Sequence, residues 1–255
     1  MASLVGKVAM ITGGGQGLGQ ACANLLARDG AKVVIADINP ATGEAAAELI
    51  RASGGEASFV QGDIAREAEV AAMVAHAVET FGGLDCAINS AVLPLGQRVP
   101  LDQIETADWE RGMAVNFTGV FLCMKYQIRA MQARGGGSIV NIGSGNEHTG
   151  EKGLSWYLAA KQGIYGMTKC AALDYGAEGI RVNAVAPGPM WTPLLRENAA
   201  LNPGHLDKHV ARVPLHRICE PEEVAEAAVF LCSPAASYVT GVTLSADGGY
   251  VLGSG

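Results

Sequence analysis

Apolar residues in this chain alternate between two rhythms. Short apolar runs occur at Lys7 to Thr12, Lys32 to Asp37, Ser58 to Gln61, Leu84 to Ile88, Ser138 to Ile142, Arg181 to Ala186 and Val242 to Ser245. They lack the outward polar alternation of a half-exposed sheet, which predicts strands buried on both faces. Between them lie stretches with helical spacing: Gly17 to Asp29, Pro40 to Ser53, Glu67 to Phe81, a long segment from near Trp109 to Arg134, Ser155 to Tyr175, and Pro221 to Cys232. Parallel strands need crossovers of this length, and helices supply them. The predicted architecture is an α/β fold, a doubly wound parallel sheet flanked by helices on both faces, in three layers.

The rhythm breaks between Pro187 and Cys219, where prolines stand at 187, 189, 193, 203 and 214 beside an apolar Met190-Trp191 pair. So long an irregular stretch in a compact domain is more often functional than a mere connector. It is expected to form a substrate lid over about 187–219. No linker, repeat or low-complexity segment divides the chain, so residues 1–255 are expected to form one domain.

Composition narrows the classes. The 255 residues are 49% hydrophobic and 17% charged, which excludes disorder, and the net charge is −7. An acidic balance lacks the cations that displace counterions from nucleic acid, and it disfavours anionic membrane surfaces. No apolar run approaches a membrane span, and no signal-peptide pattern opens the chain. The protein is therefore expected in the cytoplasm, with no nucleic-acid or membrane partner. Six scattered cysteines form neither a CxxC pair nor a zinc-like cluster, so no metal is expected.

The candidate chemistry begins at the first strand-to-helix turn, which reads TGxxxGxG over residues 12–19. Glycines there let phosphates approach unpaired helix N–H groups at the positive end of the helix dipole. A P-loop is excluded, because no Lys-Ser or Lys-Thr follows. Gly13, Gln16, Gly17, Leu18 and Gly19 are the candidate phosphate-binding positions. Asp37 closes the second strand eighteen residues beyond Gly19, where a carboxylate accepts the hydroxyls of an adenosine ribose and repels a 2′-phosphate. Gln16 brings no positive charge for that phosphate either, so NAD is favoured over NADP.

Tyr157 and Lys161 are four apart in a helical pattern and share a face. An ammonium beside a phenol, joined by the positive charge of an oxidised nicotinamide, favours the phenolate, which predicts a lowered Tyr157 pKa and a usable proton acceptor. Ser144 lies thirteen residues before Tyr157 at the carboxyl end of the fifth strand, over the ligand crevice of such a sheet.

With the glycine turn, Asn89-Ser90-Ala91, Asn116, Ser144, Tyr157 to Lys161, and Asn183 to Gly188 in this order, the chain resembles the single-domain branch of the short-chain dehydrogenase/reductase family, from about residue 5 to 250. The resemblance implies a Rossmann-like fold, NAD as cofactor and a small-molecule alcohol or ketone as substrate. By position it implies Tyr157 as general acid/base, Ser144 as holder of the substrate oxygen, Lys161 as partner of the tyrosine and of the nicotinamide ribose, and Asn116 as anchor of a connecting water. It further implies Asp63 and the backbone of Ile64 at the adenine, Ile38 as a wall of that pocket, Asn89 beside the adenosine ribose, and Pro187, Met190 and Thr192 around the carboxamide. Homotetramers are typical of the family, formed through the segments from Trp109 and from Ser155 and the last helix and strand. Ala159, Ala160, Gly163 and Gly166 suit either close helix approach there or packing within the chain.

One motif departs from the pattern. The family usually reads Asn-Asn-Ala-Gly where this chain has Val92 in the last place, a branched side chain where backbone normally nears the cofactor. Candidate substrate contacts are Ser144, Asn146, His148, Tyr157, Met190 and Trp191, with Leu93, Leu95, Trp156, Leu194 and Leu195 as further lining residues. Glu147 disfavours a strongly anionic substrate. The leading expectation is an NAD-dependent interconversion of a secondary alcohol and a ketone. The alternatives are an NADPH-dependent reductase of carrier-protein-bound 3-ketoacyl groups and a non-catalytic NADH-sensing regulator.

Overall fold

A computed structural model describes residues 4–94, 98–145, 150–192, 195–197, 199, 204 and 206–252. Seven strands form one sheet: β1 (Val8–Thr12), β2 (Lys32–Asp37), β3 (Ala57–Gln61), β4 (Cys86–Asn89), β5 (Gly137–Ile142), β6 (Ile180–Pro187) and β7 (Thr243–Ala246). All pair in parallel, in the order β3-β2-β1-β4-β5-β6-β7. The order reverses between β1 and β4, and the register brings Thr12 opposite Asn89 at the carboxyl ends. A crevice opens at such a reversal.

The strands are buried on both faces because each face carries its own helical layer. One layer consists of α1 (Gly17–Arg28), α2 (Pro40–Ala52) and the helix Pro221–Cys232. Leu18, Cys22, Leu26, Ile50, Val224 and Val229 pack there against Ala9, Ile11, Val33 and Ile35. The other consists of α3 (Glu67–Phe81), α4 (Thr106–Met113), α5 (Val120–Arg134) and α6 (Ser155–Tyr175). Its Val70, Met73, Cys123, Met131 and Ile164 meet Met10, Val34, Ala87 and Ile139. The alternating side chains of one strand thus feed two cores.

Local chemistry fixes the helix ends. The Asn39 side chain accepts from Ala41 N–H at 3.0 Å, and Pro40 opens α2. Glu220 and Glu223 form a reciprocal capping box with Pro221 at the start of the last helix. Gly82 and Gly135 end α3 and α5 in the left-handed region, at φ 86° and 84°.

The structure revises three expectations of element shape. The segment predicted from Trp109 begins at Thr106, and a π-helical turn over Ala114–Gly119 separates α4 from α5. β4 is shifted toward Asn89, because Leu84 and Asp85 belong to the approach from the Gly82-Gly83 turn. The irregular stretch after Pro187 contains a short helix, α7 (Asp207–Arg212), and a bridge between Met190 and Cys219. The helix Pro221–Cys232 is therefore α8.

Among the four small residues of α6, Ala160 is fully buried and Gly163 abuts the Phe117 ring of its own chain. Ala159 and Gly166 are exposed. Among the described residues, no helix is long and apolar enough to cross a membrane.

Candidate active site

The crevice is a cleft of about 730 Å³ along the carboxyl ends of the strands. Its one end is lined by Asp37, Ile38, Asn39, Asp63 and Ile64, its middle by Gly13 and Gln16 to Gly19, and its other end by Ser144, Tyr157, Lys161, Pro187, Met190 and Thr192.

The glycine turn is shaped by steric need. Gly13 has φ +66°, and a Cβ there would lie 2.7 Å from the Ala91 Cα. A Cβ on Gly19 would overlap the Gly13 carbonyl. Ala91 donates its N–H to the Thr12 hydroxyl at 3.2 Å, which locks the end of β4 against the turn. Val92, the departure from the family pattern, is 47% exposed at the cleft lip, so close approach to the turn falls to Ala91.

No side chain caps α1, so its first N–H groups face the cleft uncovered by the protein's own residues. Asp37 is oriented from both sides, accepting from Gly15 N–H and from Asn39 N–H at 2.9 Å each. Asp63 accepts from Ala65 N–H at 2.9 Å. An uncapped helix start behind a glycine cradle, with a fixed carboxylate at the next strand end, fits the pyrophosphate and ribose of a dinucleotide.

At the opposite end the Tyr157 hydroxyl is hydrogen-bonded to Ser144. The Lys161 ammonium lies 5.7 Å from the Tyr157 ring centroid and donates to the Ile142 carbonyl at 2.9 Å. The expected lowering of the Tyr157 pKa is not what the protein alone produces. Burial holds the phenol above its ordinary value and outweighs the Ser144 hydrogen bond that lowers it. Burial also pushes the Lys161 amine down to about 8, and its hydrogen bond goes to a backbone carbonyl.

The π-helical turn carries Asn116. Its amide nitrogen donates to the Gly112 carbonyl at 3.1 Å, while its oxygen is buried without a protein partner. A buried acceptor left open is costly unless a water or ligand meets it, which suits the connecting role that the family resemblance implies.

Asn89 does not reach the cleft surface. It exchanges hydrogen bonds with Gln127 at 3.0 and 2.8 Å and donates to Asn141 at 2.9 Å, while Asn141 donates to the Thr168 hydroxyl at 3.0 Å. This buried ladder ties β4, α5, β5 and α6 together beneath the site. Sequence reading missed Gln127, Asn141 and Thr168, because a polar residue inside an apolar element looks like a solvent-facing one until its partner is known.

On the substrate side Met190 and Leu93 line the cleft. Trp191 does not line it: its ring lies 5.1 Å from the Arg196 guanidinium, a cation–π contact that holds the indole aside. Trp156 also lies outside the lining, edge-on to Tyr157 at 5.9 Å. Asn146, His148, Leu95 and Leu194 lie outside the described residues.

A cradle for a dinucleotide that ends at a phenol and a buried amine is the arrangement of a nicotinamide-dependent oxidoreductase. Comparison with known proteins agrees. A family model described as "Enoyl-(Acyl carrier protein) reductase" matches residues 13–251. The chain is 46% identical over 252 residues to 2,5-dichloro-2,5-cyclohexadiene-1,4-diol dehydrogenase of Sphingobium indicum, covering 98% of this chain and 99% of the relative. It is 43% identical over 244 residues to cis-4-hydroxycyclohexanecarboxylate dehydrogenase of Sinomonas cyclohexanicum, covering 96% of each. The solved structure of levodione reductase superposes with a TM-score of 0.91 at 34% identity, covering 97% of this chain and 98% of that one. The chain belongs to the short-chain dehydrogenase/reductase family, whose oxidoreductases use nicotinamide cofactors.

Proposed function

We propose that this protein is an NAD-dependent oxidoreductase that interconverts a secondary alcohol on a carbon ring and the corresponding ketone. The observation that carries this reading is the hydrogen bond between Tyr157 and Ser144 at one end of the cleft, with Lys161 beneath the phenol. In oxidation Ser144 holds the substrate oxygen while the Tyr157 hydroxyl oxygen, once deprotonated, takes the alcohol proton. In reduction Tyr157 returns that proton, and Ser144 stabilises the charge that develops on the oxygen. Lys161 supplies positive charge near the phenolate, and the open Asn116 oxygen suits a water through which the proton passes toward solvent. A nicotinamide held beside Tyr157 would supply hydride-acceptor chemistry for the carbinol carbon.

The dinucleotide would be held by Gly13, Gln16, Gly17, Leu18 and Gly19 at its phosphates, by Asp37 at the ribose, and by Ile38, Asp63 and Ile64 at the adenine. Pro187, Met190 and Thr192 would hold the carboxamide, with Lys161 at the second ribose. NAD is preferred over NADP because the adenosine end carries Asp37 and Asp63 and, among the described residues lining it, no Lys or Arg. Beside Ser144 and Tyr157 the cleft is also lined by Leu93, Pro94, Val115 and Met190, apolar residues that suit a carbocycle. Both named relatives act, by their names, on six-membered carbon rings. The segment 187–219 would serve as lid within a single domain. The exposed Phe121 and Leu173 on α5 and α6 favour the homotetramer.

Initial rates with NAD and NADP, across cyclic secondary alcohols, 3-ketoacyl thioesters and enoyl thioesters, test the assignment. Fastest turnover of a cyclic alcohol with NAD is expected, and Asp37→Ala should erode the preference for NAD. Faster turnover of a thioester with NADPH would establish the acyl reductase instead, and tight NADH binding with no turnover would establish the sensor.

A further inference from the structure

The oxygen of Ser144 can act only if its backbone is held still, and the sheet does not hold it. Pairing between β4 and β5 ends with Asn89 opposite Asn141. Beyond that point β5 continues toward β6 alone, Gly143 N–H donating to Val185 at 2.8 Å and Gly145 N–H to Pro187 at 2.7 Å. Successive residues of a parallel strand turn their peptide groups to opposite neighbours. The N–H and C=O of Ser144 therefore face the side that β4 has vacated.

One side chain meets both groups. The Tyr165 hydroxyl accepts the Ser144 N–H at 2.8 Å and donates to the Ser144 carbonyl at 2.7 Å. The phenol reaches this position because Gly143 leaves room for it; a Cβ there would overlap the Tyr165 ring. Tyr165 is itself buried, at 6% exposure, so solvent competes little for either bond. It sits on the same face of α6 as Tyr157 and Lys161, at spacings of four residues. Lys161 grips the Ile142 carbonyl, so one helix holds the strand end at two points and carries the phenol that faces it.

We propose that Tyr165 is a positioning residue for the reaction, its hydroxyl replacing the missing strand and fixing the Ser144 peptide so that the serine oxygen stays aligned with Tyr157. The proposal rests on the reading of Ser144 as the residue that holds the substrate oxygen. Nothing in the spacing from Tyr157 to Lys161 calls for a hydroxyl at 165; the need arises only because β4 stops short.

Steady-state kinetics of Tyr165→Phe, Ser144→Ala and the double variant on the cyclic alcohol turned over fastest test it, with NADH titration beside them. Tyr165→Phe keeps the ring and should lower kcat by about ten- to a hundredfold, the cost of a small misplacement at a reacting centre. NADH affinity and the alcohol KM should stay within about twofold, since neither site contacts the phenol. Added to Ser144→Ala, the same change should cause no further loss, because both act through one group. Tyr165→His, which keeps one donor or acceptor, should recover part of kcat, and it carries the test if the phenylalanine variant does not fold. A Tyr165→Phe kcat within about twofold of the parent, or a loss that multiplies onto that of Ser144→Ala, overturns the proposal. Full activity of Ser144→Ala itself would instead overturn the underlying reading of the site.

Discussion

The wall of the cleft built from β5 and α6 and the wall built from the segments that follow β4, β5 and β6 are held by different contacts. The first is fixed by buried hydrogen bonds: the Asn89-Gln127-Asn141-Thr168 ladder, Lys161 on Ile142, and Tyr165 on Ser144. The second is gathered by partly exposed charges around Glu151. That carboxylate pairs with Arg98 at 2.7 Å and with Arg212 of α7 at 3.5 Å, and Arg212 in turn lies 4.4 Å from the Tyr250 ring centroid. Breaking a buried bond strands a desolvated group, whereas an exposed ion pair contributes about 0–1 kcal/mol. The side that holds Ser144, Tyr157 and Lys161 is therefore stiff, and the segments joined at Glu151, which stands outside the cleft lining, are more adjustable.

Against these two walls the glycine cradle, which belongs to neither, should show a large effect on the cofactor alone. Gly19→Ala forces a Cβ into the Gly13 carbonyl. Overpacking of this kind costs about 1–3 kcal/mol, so NADH affinity should fall by about ten- to a hundredfold in a fluorescence titration. Unchanged affinity would show that the turn does not carry the cofactor.

Next in size is the response to pH. Burial raises the Tyr157 pKa, so at neutral pH the phenol holds its proton. Oxidation needs that proton removed, and its rate should climb with pH by up to about tenfold per unit until the phenol titrates. Ketone reduction needs the protonated phenol and should favour the lower side of the same range. An oxidation rate that fell between neutral and alkaline pH in a protein still folded would contradict this assignment.

The smallest effect belongs to the adjustable wall. Partial burial pushes the Glu151 carboxyl up, but Arg98 and then Arg212 more than offset this and hold it below the ordinary value. Glu151→Gln should loosen the three segments and raise the alcohol KM by a few fold, roughly the worth of exposed ion pairs, with kcat unchanged. High salt should produce the same rise in the parent protein and little in the variant. A fall in kcat of tenfold or more would show that the two walls are not independent.

The same division explains what could be read from the chain before its structure. The apolar runs and helical stripes placed every strand of the sheet, because burial on both faces leaves an unbroken apolar pattern. The glycine turn, Asp37 and Ser144 could be singled out because they stand at strand ends, and Tyr157 with Lys161 because four-residue spacing in a helical pattern puts them on one face; the cleft is lined by all of them. Gln127, Asn141, Thr168 and Tyr165 were not legible, since their partners come from other elements and leave no local period. The π-helical turn around Asn116 was hidden for the same reason. The upward push on Tyr157 in the protein alone was not legible, because adjacency to Lys161 is visible in sequence and burial is not. Trp191 was misplaced because its apolar neighbour suggested a pocket, while Arg196, five residues on, takes its ring.

The central claim is that the Tyr157 phenol is the proton carrier of a cleft that binds its cofactor independently. The most direct test measures turnover and NADH affinity together for Tyr157→Phe. Turnover should fall by about a thousandfold, within the range of lost general acid–base catalysis, while NADH affinity stays within about twofold. Turnover within about tenfold of the parent, smaller than such a loss, would contradict the assignment of the proton to this residue.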